Sequence, residues 1–213
     1  MNFDGVIFDF DGLLIDSEPL WNKADFELLD KRGFIPTEEL LVRRLGTGNK
    51  RTIEIYKEEF GISESTEDLM EERAEAYLKL LDKNLSLMDG AKKLLEVLSN
   101  ANKELAIATS GPYARNINSL LKRLNIESFF SAVVTGEEVE NPKPYPDLFL
   151  LAAKRLGIDP LKCIVVEDAP SGIEAAKNAK MKAYGVNKNE YARNQLEKAG
   201  ADEVYSSLMQ ISL

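Results

Sequence analysis

The sequence predicts an α/β fold: a doubly wound parallel sheet, interrupted near its start by an all-helical insert. Three observations predict it. From residue 90 onward, stretches of strand character alternate with helical ones. The strand stretches are continuously apolar rather than alternating, as expected where helices cover both faces of a sheet. Residues 18 to about 84 carry apolar positions at helical spacing instead, so they form a separate insert after the first strand.

The first strand is Val6-Ile7-Phe8, and it runs into Asp9-Phe10-Asp11-Gly12. If extended geometry persists that far, Asp9 and Asp11 share one face and Phe10 points the other way. Residues 18–32 read as a helix, with Trp21, Leu28 and Leu29 at helical spacing and Gly33 as its stop. A second helix is expected over 37–45, with Thr37 as N-cap and Glu38 and Glu39 favouring the dipole. Gly46-Thr47-Gly48-Asn49 ends it. Helices follow over 50–60 and 66–82, the latter carrying Leu69, Arg73, Tyr77 and Leu81. After Asp89-Gly90 a helix over 91–98 leads to a second strand, Glu104 to Thr109, tipped by Ser110 and Gly111. A helix over 113–124 precedes a third strand at 132–136 and the loop Asn141-Pro142-Lys143-Pro144-Tyr145-Pro146. A helix over 147–156 and a fourth strand, Cys163 to Val166, bring the chain to Glu167-Asp168, and Pro170 suits the first position of the next helix. A fifth strand over 182–187, a helix over 190–199 and a short strand at 203–205 complete the pattern. The expected division is a core of residues 1–16 and 85–213 and a helical domain of residues 17–84, with Gly12 and the Asp16-Ser17 crossing as hinge positions.

Composition narrows the function. Hydrophobic residues make up 44% and charged residues 30% of the 213, the balance of an ordinary folded protein. Asp and Glu outnumber Lys and Arg by 36 to 27, a formal net charge of −9, which argues against broad attraction to nucleic acid or anionic membrane. The first strand follows Met1 closely and no long apolar run occurs, so the expectation is a cytoplasmic protein, taken as a monomer. The single cysteine, Cys163, has no internal disulfide partner, and its apolar surroundings suggest a buried thiol. With no histidine in the chain, imidazole-based triads and histidine metal ligands are excluded.

In sheets of this kind ligands bind at the carboxyl ends of the strands, where the winding reverses. The polar residues fall at those ends: Asp9 and Asp11 after strand one, Thr109 and Ser110 after strand two, Lys143 after strand three, Glu167 and Asp168 after strand four. Singly, each has an ordinary reading as a turn former, helix cap or solvated charge. Together they suit phosphoryl transfer. Asp9 would attack as a carboxylate nucleophile. A Mg²⁺ ion would offset the charge that repels a phosphate, with Asp9, Asp11, Glu167 and Asp168 as candidate metal-binding carboxylates. Lys143, Ser110 and backbone N–H groups near Phe10 and Gly111 would hold the phosphoryl oxygens, and Asp11 would carry the proton.

These residues resemble the haloacid dehalogenase superfamily of aspartate-nucleophile phosphatases. Asp9-Phe10-Asp11-Gly12 is similar to its first motif, Thr109-Ser110 to its second, Lys143 in Asn-Pro-Lys-Pro to its third, and Glu167-Asp168-Ala169-Pro170-Ser171-Gly172 to its fourth. The resemblance implies a Rossmann-like core, a Mg²⁺ requirement, Asp9 as nucleophile, Asp11 as acid and base, and Asp168 as metal ligand assisted by Glu167. The insert resembles the small helical cap of the β-phosphoglucomutase and sugar-phosphate phosphatase group. There Trp21, Gly46, Thr47 and Asn49 are candidate substrate contacts. The mutases carry a histidine in the first cap helix where Trp21 stands here, and a lysine before the loop glycine where this chain has Leu45. The expectation is therefore hydrolysis of a small sugar or polyol phosphate. A phosphosugar mutase is the nearest alternative, and a phospho-acceptor signalling module or a non-catalytic binding protein the more distant ones.

Overall fold

A computed structural model of the chain describes residues 3–44, 47–113 and 116–211. The chain forms two compact units, one of Met1–Asp16 with Ser86–Leu213 and one of Ser17–Leu85.

The first unit is built on a parallel sheet. Its strands are β1 (Gly5–Phe8), β2 (Glu104–Thr109), β3 (Ala132–Thr135), β4 (Cys163–Glu167), β5 (Lys182–Val186) and β6 (Glu203–Tyr205), in the order β3-β2-β1-β4-β5-β6. β1 therefore has β2 on one side and β4 on the other. The winding reverses between β1 and β4, the place where such sheets open a crevice. Val6, Ile7 and Phe8 are fully buried, each contributing about 2 kcal/mol of apolar burial. Small side chains such as Ala106, Ala108, Ala152 and Ala176 let the flanking helices pack closely on the sheet.

The second unit holds α1 (Glu18–Asp30), α2 (Glu38–Arg43), α3 (Gly48–Phe60) and α4 (Thr66–Asn84). Its apolar core gathers Leu28, Leu29, Ile53, Tyr56 and Leu69. Thr37 accepts a bond from the N–H of Leu40 at 3.2 Å, as the acidic start of α2 suggests. α3 begins at Gly48, two residues ahead of the expected 50, with Thr47 at its N-cap.

The sheet unit then continues through α5 (Ala91–Asn100), α6 (Ile117–Arg123), α7 (Asp147–Leu156), α8 (Pro170–Asn178) and α9 (Glu190–Lys198). Pro170 opens α8, as its lack of an N–H allows. Two local expectations change. β1 ends at Phe8, and the chain turns tightly beyond it: Gly12, at φ +71°, donates to Ile15 O, and Phe10 O accepts from Leu14 and Ile15. The alternation of faces thus stops short of Asp11. α6 starts at Ile117 rather than 113, because Tyr113 is used in a turn, its N–H donating to Gly111 O at 2.9 Å.

Candidate active site

Asp9 follows β1, and its N–H donates to Val166 O at 3.0 Å, so it stands beside the end of β4 at the winding reversal. There it meets Lys143, whose Nζ lies 2.5 Å from Asp9 Oδ1, 2.7 Å from Glu167 Oε1 and 3.3 Å from Ala108 O. One ammonium thus joins the ends of β1, β2 and β4. The three side chains are shielded from solvent, at 7% exposure for Lys143, 9% for Asp9 and 1% for Glu167. Phe149 on α7 lies under the ammonium, its ring centroid 4.9 Å away. Glu167 also accepts from the N–H of Ala169 at 2.8 Å, which fixes its second oxygen. A Cβ on Gly172 would overlap Glu167 Oε1, and a Cβ on Gly12 would overlap Asp168 Oδ2, so both glycines make room for carboxylates.

The electrostatics are those of an anionic crowd around one ammonium. Loss of hydration pushes the Asp9 carboxyl up to about 7; Glu167 and Asp11 add to the rise and Lys143 opposes it. Loss of hydration, then Glu167 and Asp9, raises Asp168 well above the usual carboxylate range. Burial works against the charge on Lys143, but Asp9 and Glu167 outweigh it and hold the ammonium above its ordinary value.

Asp11 lies beyond β1 in the tight turn, and Tyr113 Oη donates to its Oδ1 at 2.5 Å. Phe10 is fully buried, edge-on to the Tyr113 ring at 5.3 Å. Ser110 is exposed at the end of β2, and the Gly111 N–H beside it donates to Thr109 Oγ1 at 3.0 Å. Among the described residues, no three His, Cys, Asp or Glu side chains are gathered as a preformed metal cage. Of the four candidate carboxylates, Lys143 engages one oxygen each of Asp9 and Glu167, Ala169 the other oxygen of Glu167, and Tyr113 engages Asp11. Asp9 and Asp168 are hard oxygen donors whose protonation is favoured first by loss of hydration and then by neighbouring carboxylates, and a divalent cation would offset that negative charge. The donor chemistry fits Mg²⁺.

The remaining sequence candidates belong to the helical unit. Trp21 stacks on Tyr77, centroids 3.7 Å apart and planes within 1°, with the Arg73 guanidinium 4.2 Å over its ring. Asn49 Oδ1 accepts from Arg73 at 2.9 Å, and Thr47 Oγ1 donates to Arg44 O at 2.8 Å. Gly46 lies outside the described residues. Sequence reasoning did not pair the charges at the centre of this unit: buried Asp25 takes Arg73 on both oxygens, at 2.5 and 3.2 Å, and Arg44 at 2.7 Å, while Arg44 also bonds Asn22. It passed over Tyr113, because that bond joins residues 102 apart in the chain.

The pattern of haloacid dehalogenase-like hydrolases matches residues 6–186, from the first strand through the fifth. The chain belongs to this family. One relative of this haloacid dehalogenase-like hydrolase is the phosphorylated carbohydrates phosphatase of Thermotoga maritima, 37% identical over 188 residues, covering 86% of this chain and 85% of that protein. Hexitol phosphatase B of Escherichia coli is 28% identical over 209 residues, covering 97% and 93%. Among solved structures, the β-phosphoglucomutase of Clostridium difficile superposes with a TM-score of 0.81 at 26% identity, covering 99% of this chain and 94% of that one. Among the described residues, no helix is long and apolar enough to cross a membrane.

Proposed function

We propose that this hydrolase is a Mg²⁺-dependent phosphatase that releases phosphate from a small sugar or polyol phosphate through an aspartyl-phosphate on Asp9. The observation that carries the reading is the placement of the Asp9 carboxylate at the winding reversal, against Lys143 and beside Glu167 and Asp168. Asp9 and Asp168 would hold the metal, with Glu167 keeping Lys143 beside them. When bound, the ion would offset the negative charge of the phosphoryl group and of its carboxylate neighbours.

The steps follow from the residues. An Asp9 carboxylate oxygen attacks phosphorus while the bond from phosphorus to the substrate oxygen breaks and protonated Asp11 delivers its proton to that oxygen. Water then attacks the same phosphorus, its proton passes back to Asp11, and the bond to Asp9 breaks. Lys143 and the Ser110 hydroxyl are assigned to the phosphoryl oxygens throughout. The helical unit Ser17–Leu85 is assigned to substrate selection. Two curated relatives support a phosphatase acting on sugar or polyol phosphates, and Trp21, standing where mutases carry a histidine, supports hydrolysis over transfer within the sugar.

The test is a panel of phosphosugars, polyol phosphates and nucleotides, read as free phosphate with Mg²⁺ and with chelator. The expected result is Mg²⁺-dependent release, fastest from a sugar or polyol phosphate. Quantitative conversion of a sugar 1-phosphate to its 6-phosphate without free phosphate would replace this reading with the mutase.

A further inference from the structure

We propose that Tyr113 is the positioning residue for Asp11, a role that rests on the reading of Asp11 as the proton carrier. Asp11 sits in the turn after β1, bridged to Ile15 and partly buried. Tyr113 reaches its carboxyl from the segment after β2. Its ring is fully buried, edge-on to Phe10 at 87°, and its backbone is held by the bond from its N–H to Gly111 O. From that base the phenol donates a 2.5 Å bond to Asp11 Oδ1, which leaves Oδ2 to carry the proton.

A second observation shows that the backbone is shaped for this contact. A Cβ on Gly111 would overlap both the Tyr113 ring and Asp11 Oδ2, so the two side chains meet over a residue that must lack a side chain. The same short segment, Ser110 to Tyr113, therefore carries the assigned phosphoryl grip at one end and the tether of the proton carrier at the other. Tyr113 couples the position of Asp11 to the loop that holds the transferring group. Proton delivery depends steeply on such placement, because a misplacement of about 1 Å can cost about a hundredfold in rate.

The experiment compares two substrates by kcat/KM, which reports the steps through cleavage of the ester bond. One is p-nitrophenyl phosphate, whose leaving group departs readily without a proton; the other is the sugar or polyol phosphate turned over fastest by the parent enzyme. For Tyr113→Phe, which keeps the ring and removes only the hydroxyl, the expected loss is about tenfold on the sugar or polyol ester and within about twofold on the nitrophenyl ester. Adding Tyr113→Phe to Asp11→Asn should change neither rate further, since the tether acts only through the carboxyl. Equal slowing on both esters, no slowing on either, or an additive double variant would overturn the role of Tyr113 while leaving the proposed function standing. A parent enzyme that releases no phosphate from any ester would overturn both.

Discussion

Lys143 Nζ stands 2.5 Å from Asp9 Oδ1, so the ammonium assigned to the phosphoryl group is held by the carboxylate assigned to attack it. Lys143 opposes the rise of the Asp9 carboxyl, and Asp9 helps keep the ammonium charged, in a place where burial disfavours both charges. Removing the ammonium therefore does more than remove a substrate contact. In Lys143→Met, Asp9 and Glu167 are left buried without their cation, which should cost about 3–5 kcal/mol of stability near neutral pH. Activity should fall by at least about a hundredfold. Urea unfolding and phosphate release measure the two, and a variant of unchanged stability would show that the triad is not a coupled unit.

The raised carboxyls predict an unusual pH dependence for the metal-free protein. Asp9 has an ordinary value of 3.8 and lies near 7 when folded, so between those limits the folded state keeps a proton the unfolded chain has released. The stabilisation is complete below the lower value and is lost as pH rises through the upper one, and Asp168 acts in the same direction. Carboxyls held below their ordinary value by arginine partners, such as Glu72 and Glu138, act in the opposite direction, their stabilisation being lost as pH falls. In chelator, the melting temperature should fall by about 5 °C or more between about pH 5 and pH 8. Mg²⁺ should restore more stability at the higher pH than at the lower, because the deprotonated carboxylates bind it. A melting temperature that rises with pH in chelator would contradict the placement of these groups.

Gly172→Ala probes the site through packing alone. The added methyl overlaps Glu167 Oε1, the atom that holds Lys143, so it must push the carboxylate aside. Activity should drop about tenfold or more while the helix containing residue 172, which gains a better helix former, keeps the fold intact. Phosphate release alongside circular dichroism measures both, and parental activity would mean that Glu167 tolerates displacement.

Asp25 is the corresponding test in the helical unit. It is fully buried between Arg73 and Arg44, and Asp25→Ala would leave two buried guanidinium groups without their carboxylate. A loss of about 3–5 kcal/mol in chemical denaturation is expected. A loss below about 1 kcal/mol, the level of an exposed pair, would show that the cluster is solvated in solution.

Much of this architecture was legible in the sequence because strand and helix periodicities differ and because the polar residues cluster at strand ends. The continuous apolar runs at Val6 to Phe8 and Cys163 to Val166 marked strands buried on both faces, and Pro170 marked the start of a helix. The residues Asp9, Lys143 and Glu167 were legible as a set because parallel topology brings successive strand ends together. What stayed hidden depends on turns and on distant pairing. The extended geometry expected to carry Asp9 and Asp11 on one face gives way after Phe8 to a turn at Gly12. The Tyr113 bond to Asp11 and the two arginines on Asp25 have no periodic signal, since each is a contact between loops or helices far apart in the chain. Trp21 and Asn49, expected as substrate contacts, are engaged by Arg73 within their own unit, a pairing no local spacing announces.

The central claim is that Asp9 carries the phosphoryl group. The direct measurement is rapid acid quenching of the Mg²⁺-loaded enzyme during turnover of its fastest phosphoester, followed by mass spectrometry of the peptides. The account predicts a phosphoryl increment on the peptide carrying Asp9, absent in Asp9→Asn, which should also release no phosphate above background. An increment on another residue, or phosphate release by Asp9→Asn at the parental rate, would contradict it.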